Sequence, residues 1–339
     1  MFVNSDNYIK YLKLWLITLF LLIIVMVGVG GLTRLTDSGL SITAWELFTG
    51  ILPPLNINEW NFYFSEYKKI PEFKNINYSM TLDEFKVIFY WEYIHRLLAR
   101  VVGLVSIIPL IFLTIKFKNN KLYSNKYYLI FFLVCLQGFV GWFMVSSGLI
   151  ENNDVSHFRL SIHLALALFI LCLIYWFILD LSNIQKFRIK ISNPLLYLIL
   201  ILIVLQIIFG AFLSGLDGGL IYNSWPDMNG TFLPNDVSVN DYLSYQLFYN
   251  PSIIQFFHRI TAYILFFSII FLNYLFLKKK LNFQNILIFD IAVVLQIFLG
   301  IITLVSGVEI KFASLHQLGS IFVLSSYFLI LYKNTNQQL

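Results

Sequence analysis

The chain has 339 residues, 59% of them hydrophobic and 12% charged, with a formal net charge of +5. Soluble globular domains are about a quarter charged and under half apolar, so this composition, with its 34 Phe and 20 Tyr, excludes a water-soluble fold and makes lipid the solvent for most of the chain. The basic residues are scattered through short segments, which argues against nucleic acid as a partner.

Crossing a ~30 Å hydrocarbon core takes about 20 apolar residues. Eight segments reach that length and are predicted as membrane helices: 13–33, 86–115, 127–149, 157–180, 194–215, 251–277, 285–306 and 313–333. Lys10 and Lys13 precede the first of them. No small-residue cleavage site follows it, so an uncleaved span is expected rather than a signal peptide. A long loop, 34–85, follows the first span, a medium loop, 216–250, follows the fifth, and the other connections are short. Cys135 and Cys172 sit inside apolar runs, where a thiol behaves as a small packing residue.

Lys and Arg are distributed unevenly between the two sides. With the N-terminus inside, the inner segments hold Lys10, Lys13, Lys116, Lys118, Lys121, Lys126, Lys186, Arg188, Lys190, Lys278, Lys279, Lys280 and Lys333, thirteen of the 23. Loop 216–250 has none. This bias predicts both termini on the inner side.

The sequence also repeats. Leu136-Gln137-Gly138-Phe139-Val140-Gly141 resembles Leu295-Gln296-Ile297-Phe298-Leu299-Gly300; His95-Arg96 resembles His258-Arg259; Ser161-Ile162-His163 resembles Ser314-Leu315-His316. The expected fold is therefore an all-α polytopic membrane protein. Its eight transmembrane helices form two pseudo-symmetric four-helix bundles arranged as parallel repeats, divided as 1–185 and 186–339.

Four of the five histidines occupy repeat-equivalent places, on the second, fourth, sixth and eighth spans. Intramembrane ionisable residues are costly and mark function by default. Two histidines per bundle at similar depth, on different helices, suit the two axial positions of a haem iron. The ordinary alternative, a hydrogen-bonded buried histidine, fits a single case better than four duplicated ones. His157 has no counterpart and reads as an interfacial residue. Arg96, Arg100 and Arg259 follow the histidines near the outer ends of their helices; each is a candidate for a haem propionate or a plain interfacial anchor.

One substitution breaks the symmetry. Glu92 stands three residues before His95, and Gln255 three before His258, so each shares a helix face with its histidine. A carboxylate can move a proton or stabilise a developing cation, and an amide cannot. Glu92 is the candidate catalytic residue, with an ion pair to Arg96 as the plainer reading. The N-terminal half is expected to do chemistry while the C-terminal half keeps an electron-transfer haem.

Further motifs accompany these: Gly30-Gly31-Leu32-Thr33-Arg34-Leu35-Thr36, Ser38-Gly39-Leu40-Ser41, Trp45, Pro53-Pro54-Leu55, Glu59-Trp60, Glu92-Tyr93-Ile94-His95-Arg96, Tyr222-Asn223, Trp225-Pro226 and His258-Arg259. With them, nearly the whole chain resembles the haem A synthase family, in the branch without a cysteine pair in the first outer loop. The resemblance implies a membrane oxidoreductase that turns the C8 methyl of haem O into a formyl group by successive hydroxylations, giving haem A for cytochrome oxidase. It implies that His258 and His316 ligate a resident haem B cofactor and that His95 and His163 flank the substrate haem O, with Glu92 serving the oxidation. It also implies haem O synthase and an electron acceptor as partners and a location in mitochondria or a Gram-negative inner membrane, of which the lack of a transit peptide makes the bacterial inner membrane the expected one; a homo-oligomer is left open. Two rivals remain at this point: a di-haem b-type cytochrome exchanging electrons with quinol, which needs the same four histidines, and a transporter built from parallel repeats.

Overall fold

Lipid offers a backbone no hydrogen-bonding partner, so long apolar runs in it fold as helices that satisfy their own N–H and C=O groups. The computed structural model describes residues 5–45, 49–116, 124–150, 153–182 and 184–335; Lys118 and Lys121 of the sidedness count lie outside them. Among the described residues the regular elements are helices: α1 (Ser5–Leu35), α2 (Ile57–Tyr67), α3 (Pro71–Asn75), α4 (Leu82–Lys116), α5 (Ser124–Val145), α6 (His157–Asp180), α7 (Asn193–Gly215), α8 (Val239–Tyr242), α9 (Pro251–Lys278), α10 (Gln284–Val305) and α11 (Ile310–Asn334), with three short 3-10 turns. Eight of them, α1, α4, α5, α6, α7, α9, α10 and α11, are long and apolar enough to cross a membrane. The protein is a multi-pass membrane protein.

The chain divides into two compact units, residues 1–174 and 175–339. In the first, α1 lies along α4, and α4 along α5. Helix α1 buries Leu12, Leu16, Leu19, Ile23 and Val27 while Leu14, Leu21 and Val25 stay exposed, the i, i+4 stripe of a helix packed on one side and bathed in lipid on the other. Trp15 ties the pair together, its Nε1 donating to the Val105 carbonyl at 2.7 Å.

The loop expected over 34–85 is shorter and more ordered than its sequence suggests. Helix α1 runs to Leu35 and α4 begins at Leu82, so Arg34 and Lys86 belong to helices. Between them α2 and α3 form a cap on the first turns of α4. Asn56 starts α2 by accepting from the Glu59 N–H at 3.0 Å, and the Glu59 carboxylate accepts in return from Asn56 Nδ2 and the Leu55 N–H, each at 2.7 Å; this reciprocal satisfaction is what caps an N-terminus. The cap has a small aromatic core of its own, Trp60, Phe64, Tyr67, Phe85 and Phe89 with Leu40, Ile42, Ile70, Ile88 and Val155. Phe64 stacks on Phe85 at a centroid distance of 5.0 Å.

Under that core lies a buried carboxyl, Glu72, 5% exposed. It accepts from the Tyr67 hydroxyl at 2.9 Å and from Asn77 Nδ2 at 3.2 Å. Burial, aided by the like charges of Asp154 and Asp37, pushes its pKa up to about 7, because a low-dielectric surrounding disfavours the anion.

In the second unit α7 packs on α9 and α11, and α10 on α11. Asn250 caps α9 by accepting from the N–H groups of Ser252 and Ile253, with Pro251 at the first helical position, where a missing N–H costs nothing. Tyr327 on α11 donates to the Leu196 carbonyl of α7 at 2.5 Å. Helices α1 and α7 end alike: each passes into an aspartate with positive φ, 47° at Asp37 and 49° at Asp217, the left-handed conformation that stops a helix and that Asp tolerates better than most residues.

Candidate haem sites

The four repeated histidines lie on four different spanning helices, His95 on α4, His163 on α6, His258 on α9 and His316 on α11, and each ring is half-buried. Each packs against a glycine of the neighbouring helix. A Cβ added at Gly30 would sit 3.0 Å from His95 Nε2; at Gly141, 2.9 Å from His163 Cε1; at Gly210, 3.3 Å from His258 Cε1; and at Gly300, 2.8 Å from His316 Cε1. The backbones of α1, α5, α7 and α10 thus approach the rings closely, leaving each a niche: a Cβ would force a shift at Gly141 and Gly300 and would need a few tenths of an ångström of yielding at Gly30 and Gly210.

His258 faces His316 with ring centroids 6.4 Å apart and planes at 77°. Two metal–imidazole bonds of about 2 Å each, laid end to end, bring two ring centres to about 6 Å, so this spacing accepts one iron between the rings. In the first unit His95 and His163 stand on α4 and α6, as His258 and His316 stand on α9 and α11 in the second. Among the described residues no cluster of three or more His, Cys, Asp or Glu could hold a bare metal ion. That donor set fits a metal supplied with its own equatorial ligands, as haem iron is.

Glu92 is 3% exposed and its carboxylate is filled. Oε2 accepts from Ser41 Oγ at 2.7 Å and the Ile42 N–H at 2.8 Å; Oε1 accepts from Arg96 Nε at 3.0 Å and Nη2 at 2.6 Å. Arg96 in turn donates to the carbonyls of Ile42 at 2.8 Å and Ala44 at 2.9 Å. Carboxylate and guanidinium together therefore clamp the segment 41–44 onto α4, one turn from His95. The ion pair that was the plainer reading of Glu92 is formed.

Gln255 holds the corresponding segment of the second unit in the opposite sense. Its Nε2 donates to the carbonyls of Gly218 at 3.2 Å and Tyr222 at 3.1 Å, and Arg259 donates to those of Tyr222 at 3.0 Å and Asp227 at 2.7 Å. The guanidinium groups of Arg96 and Arg259 thus spend donors on loop backbone; Arg259 Nε is buried with no partner. Arg100 lines a small cavity with Arg96, Tyr63, Phe89 and Tyr93. His157 begins α6, as expected of a residue at a helix start, and is buried with its ring 4.3 Å from that of Phe158.

Sequence reasoning aligns Gln137 and Gly141 with Gln296 and Gly300 and places Gly30 in a motif, but gives none of them a role and does not extend the pattern to Gln206 and Gly210. A glutamine stands one turn before the niche glycine on three helices: Gln137 before Gly141, Gln206 before Gly210, Gln296 before Gly300. Gln137 Nε2 donates to the His163 carbonyl at 2.9 Å and lies 3.1 Å from His163 Nδ1. Gln296 Nε2 donates to the His316 carbonyl at 2.9 Å, and Gln206 Nε2 lies 3.1 Å from His258 Nε2. The Gln-x-x-x-Gly spacing was visible in the sequence as a signal.

A family model described as "Cytochrome oxidase assembly protein" (COX15-CtaA) matches residues 13–328. A protein of Pelagibacter ubique (strain HTCC1062) named "Heme A synthase" is 77% identical over 336 residues, 99% of this chain and 100% of the relative. The chain belongs to the haem A synthase family. More distant members named "Heme A synthase" match over most of their length as well: 43% identity to that of Rickettsia bellii (strain OSU 85-389), covering 93% of this chain and 96% of the relative, and 39% to that of Wolbachia pipientis wMel, covering 94% and 92%. Members of the family thus share this length and extent with the present chain, and the family expected from the motifs is the family found.

Proposed function

We propose that the protein is a haem A synthase, a membrane oxidoreductase converting the C8 methyl of haem O to a formyl group by successive hydroxylations. Turning a methyl into a formyl is a net four-electron oxidation that leaves one oxygen on the carbon, so the protein needs a site for the flat substrate, a route for electrons and a way to tolerate charge at the reacting carbon. The full-length match to a heme A synthase at 77% identity carries the reaction. The opposed His258 and His316 rings support the resident haem, read as haem B, in the C-terminal half of the sequence, residues 186–339.

In this reading a haem on His258 and His316 supplies one-electron redox chemistry. Helices α7 and α10 hold those imidazoles by leaving room for them at Gly210 and Gly300. His95 and His163 orient the substrate in the N-terminal half of the sequence, residues 1–185. Glu92 acts as a fixed negative charge: with four donors on its two oxygens, it is better placed to stabilise positive charge than to shuttle a proton. Arg96 and Arg100, beside the cavity under the cap, suit a propionate at the edge of the same site, and Arg259 suits one in the other. The chain works in a bacterial inner membrane with both termini on the cytoplasmic side, receives haem O from its synthase and passes electrons to an acceptor.

The test is pigment extraction after expression with a haem O source in a host lacking its own enzyme. Haem A in the extract is expected; haem B and haem O alone would overturn the proposal and leave a b-type cytochrome.

A further inference from the structure

The three glutamines raise a question about the fourth histidine. An imidazole bound to iron through one nitrogen carries its proton on the other, and metal-bound histidines nearly always donate that N–H to an outer partner, which fixes the ring and strengthens the ligand. Gln137, Gln206 and Gln296 each lie against a histidine segment, and in each the carbonyl Oε1 is buried with no hydrogen-bond partner. An amide whose nitrogen is engaged and whose buried oxygen is free can turn that oxygen to an imidazole N–H. His163, His258 and His316 thus each have an amide at hand.

His95 does not. On α1 the residue one turn before the niche glycine, Gly30, is Met26, on the same helix face. Among the described residues the His95 ring takes part in no hydrogen bond; the His316 ring takes part in none either, its Nδ1 being buried without a partner, but Gln296 holds the His316 carbonyl at 2.9 Å, whereas the residue at the equivalent place beside His95 is a thioether. A thioether is only a weak acceptor. The match between α1 and α7 is otherwise close: Gly30 and Gly210 both touch a histidine ring, and Asp37 and Asp217 both end their helix with positive φ. Met26 against Gln206 is a difference inside a conserved geometry.

We infer that Met26 makes His95 the weak, exchangeable ligand of the first unit, so that a haem there is held firmly by His163 and released first from His95. This rests on the reading that the histidine pairs hold haem. It assigns Met26 as a positioning residue by what it withholds, and Gln137, Gln206 and Gln296 as the residues that hold the other three rings. Substrate must enter and product must leave the first site, whereas a resident haem must stay; the missing amide falls where exchange is needed.

The experiment uses the full chain in lipid nanodiscs, loaded with haem and mixed with excess apomyoglobin as a haem scavenger, while optical and EPR spectra follow the low-spin bis-imidazole signals. Met26→Gln is expected to slow transfer from the first unit about tenfold or more, the size of an outer-shell effect on a metal ligand, and to raise its low-spin fraction. Gln206→Met, the reciprocal change, is expected to let the scavenger take the resident haem, and it serves if Met26→Gln does not accumulate. Transfer rates within about twofold of the unsubstituted protein in either variant would overturn the inference while leaving haem binding intact. If His95→Ala and His258→Ala left both haem spectra unchanged, the haem reading itself would fall, and this inference with it.

Discussion

His258 and His316 meet ring to ring, 6.4 Å between centroids, across the interior of the second unit. At that distance the two rings would be able to hold one haem iron. Replacing His258 or His316 by Ala is therefore expected to abolish the low-spin haem spectrum of the purified protein, while His95→Ala removes far less of it. A His258→Ala protein that keeps the full low-spin signal would show that the resident haem sits elsewhere.

The glycine niches predict a graded series. A Cβ at Gly300 meets His316 at 2.8 Å, whereas one at Gly210 meets His258 at 3.3 Å. Gly300→Ala should displace its ring and lower resident haem occupancy several-fold; Gly210→Ala should cost much less, because a few tenths of an ångström of yielding suffices. The ratio of pyridine haemochrome absorbance to protein reads both. The reverse order would mean that the rings are not held by these contacts.

Removing the Glu92 charge leaves Arg96 without its buried partner. Breaking a buried ion pair from one side costs about 3 kcal/mol, and the side-chain exposures of 4% for Glu92 and 14% for Arg96 place this pair in that class. Glu92→Gln is expected to spare the resident haem, to stop haem A formation, and to loosen segment 41–44. Limited trypsin digestion at Lys68 and Lys69 in the cap reports the last effect. Normal haem A output from this variant would remove Glu92 from the chemistry.

Glu72 makes the cap sensitive to pH. Its folded pKa, about 7, lies above the ordinary 4.5, so the folded cap binds the proton more tightly than the unfolded one. The stabilisation is full below about 4.5 and is lost as pH rises through about 7. Hydrogen exchange of cap amides should accelerate across that window, and Glu72→Gln should flatten the profile. Persistence of the full pH dependence in Glu72→Gln would assign it to another group.

The fold was legible because lipid makes a blunt demand. Runs such as 194–215 have no alternative to a helix, and α7 spans Asn193–Gly215. The histidines were legible because a polar ring in such a run stands out. The cap was not read as structure, although Asn56-x-x-Glu59 and Pro71 are helix-start signals, because its core is assembled from aromatic residues of α2 and α4 with Leu40 and Val155 from elsewhere in the chain. The engagement of Glu92 was hidden for a similar reason. Half of its partners, Ser41 and the Ile42 N–H, come from a stretch with no regular structure, and spacing along α4 shows only Arg96.

The four niche glycines carry a consequence for anyone who would engineer this protein. In an ordinary helix interior, Gly→Ala improves stability by up to about 1 kcal/mol and is among the first changes a stabilisation campaign tries. At Gly30, Gly141, Gly210 and Gly300 the same change would tighten the helix and press on a histidine ring. If these rings hold haem as proposed, a variant selected only for thermal resistance would drift toward a sturdier bundle that binds less of it, so colour, not melting temperature, would be the property to select on.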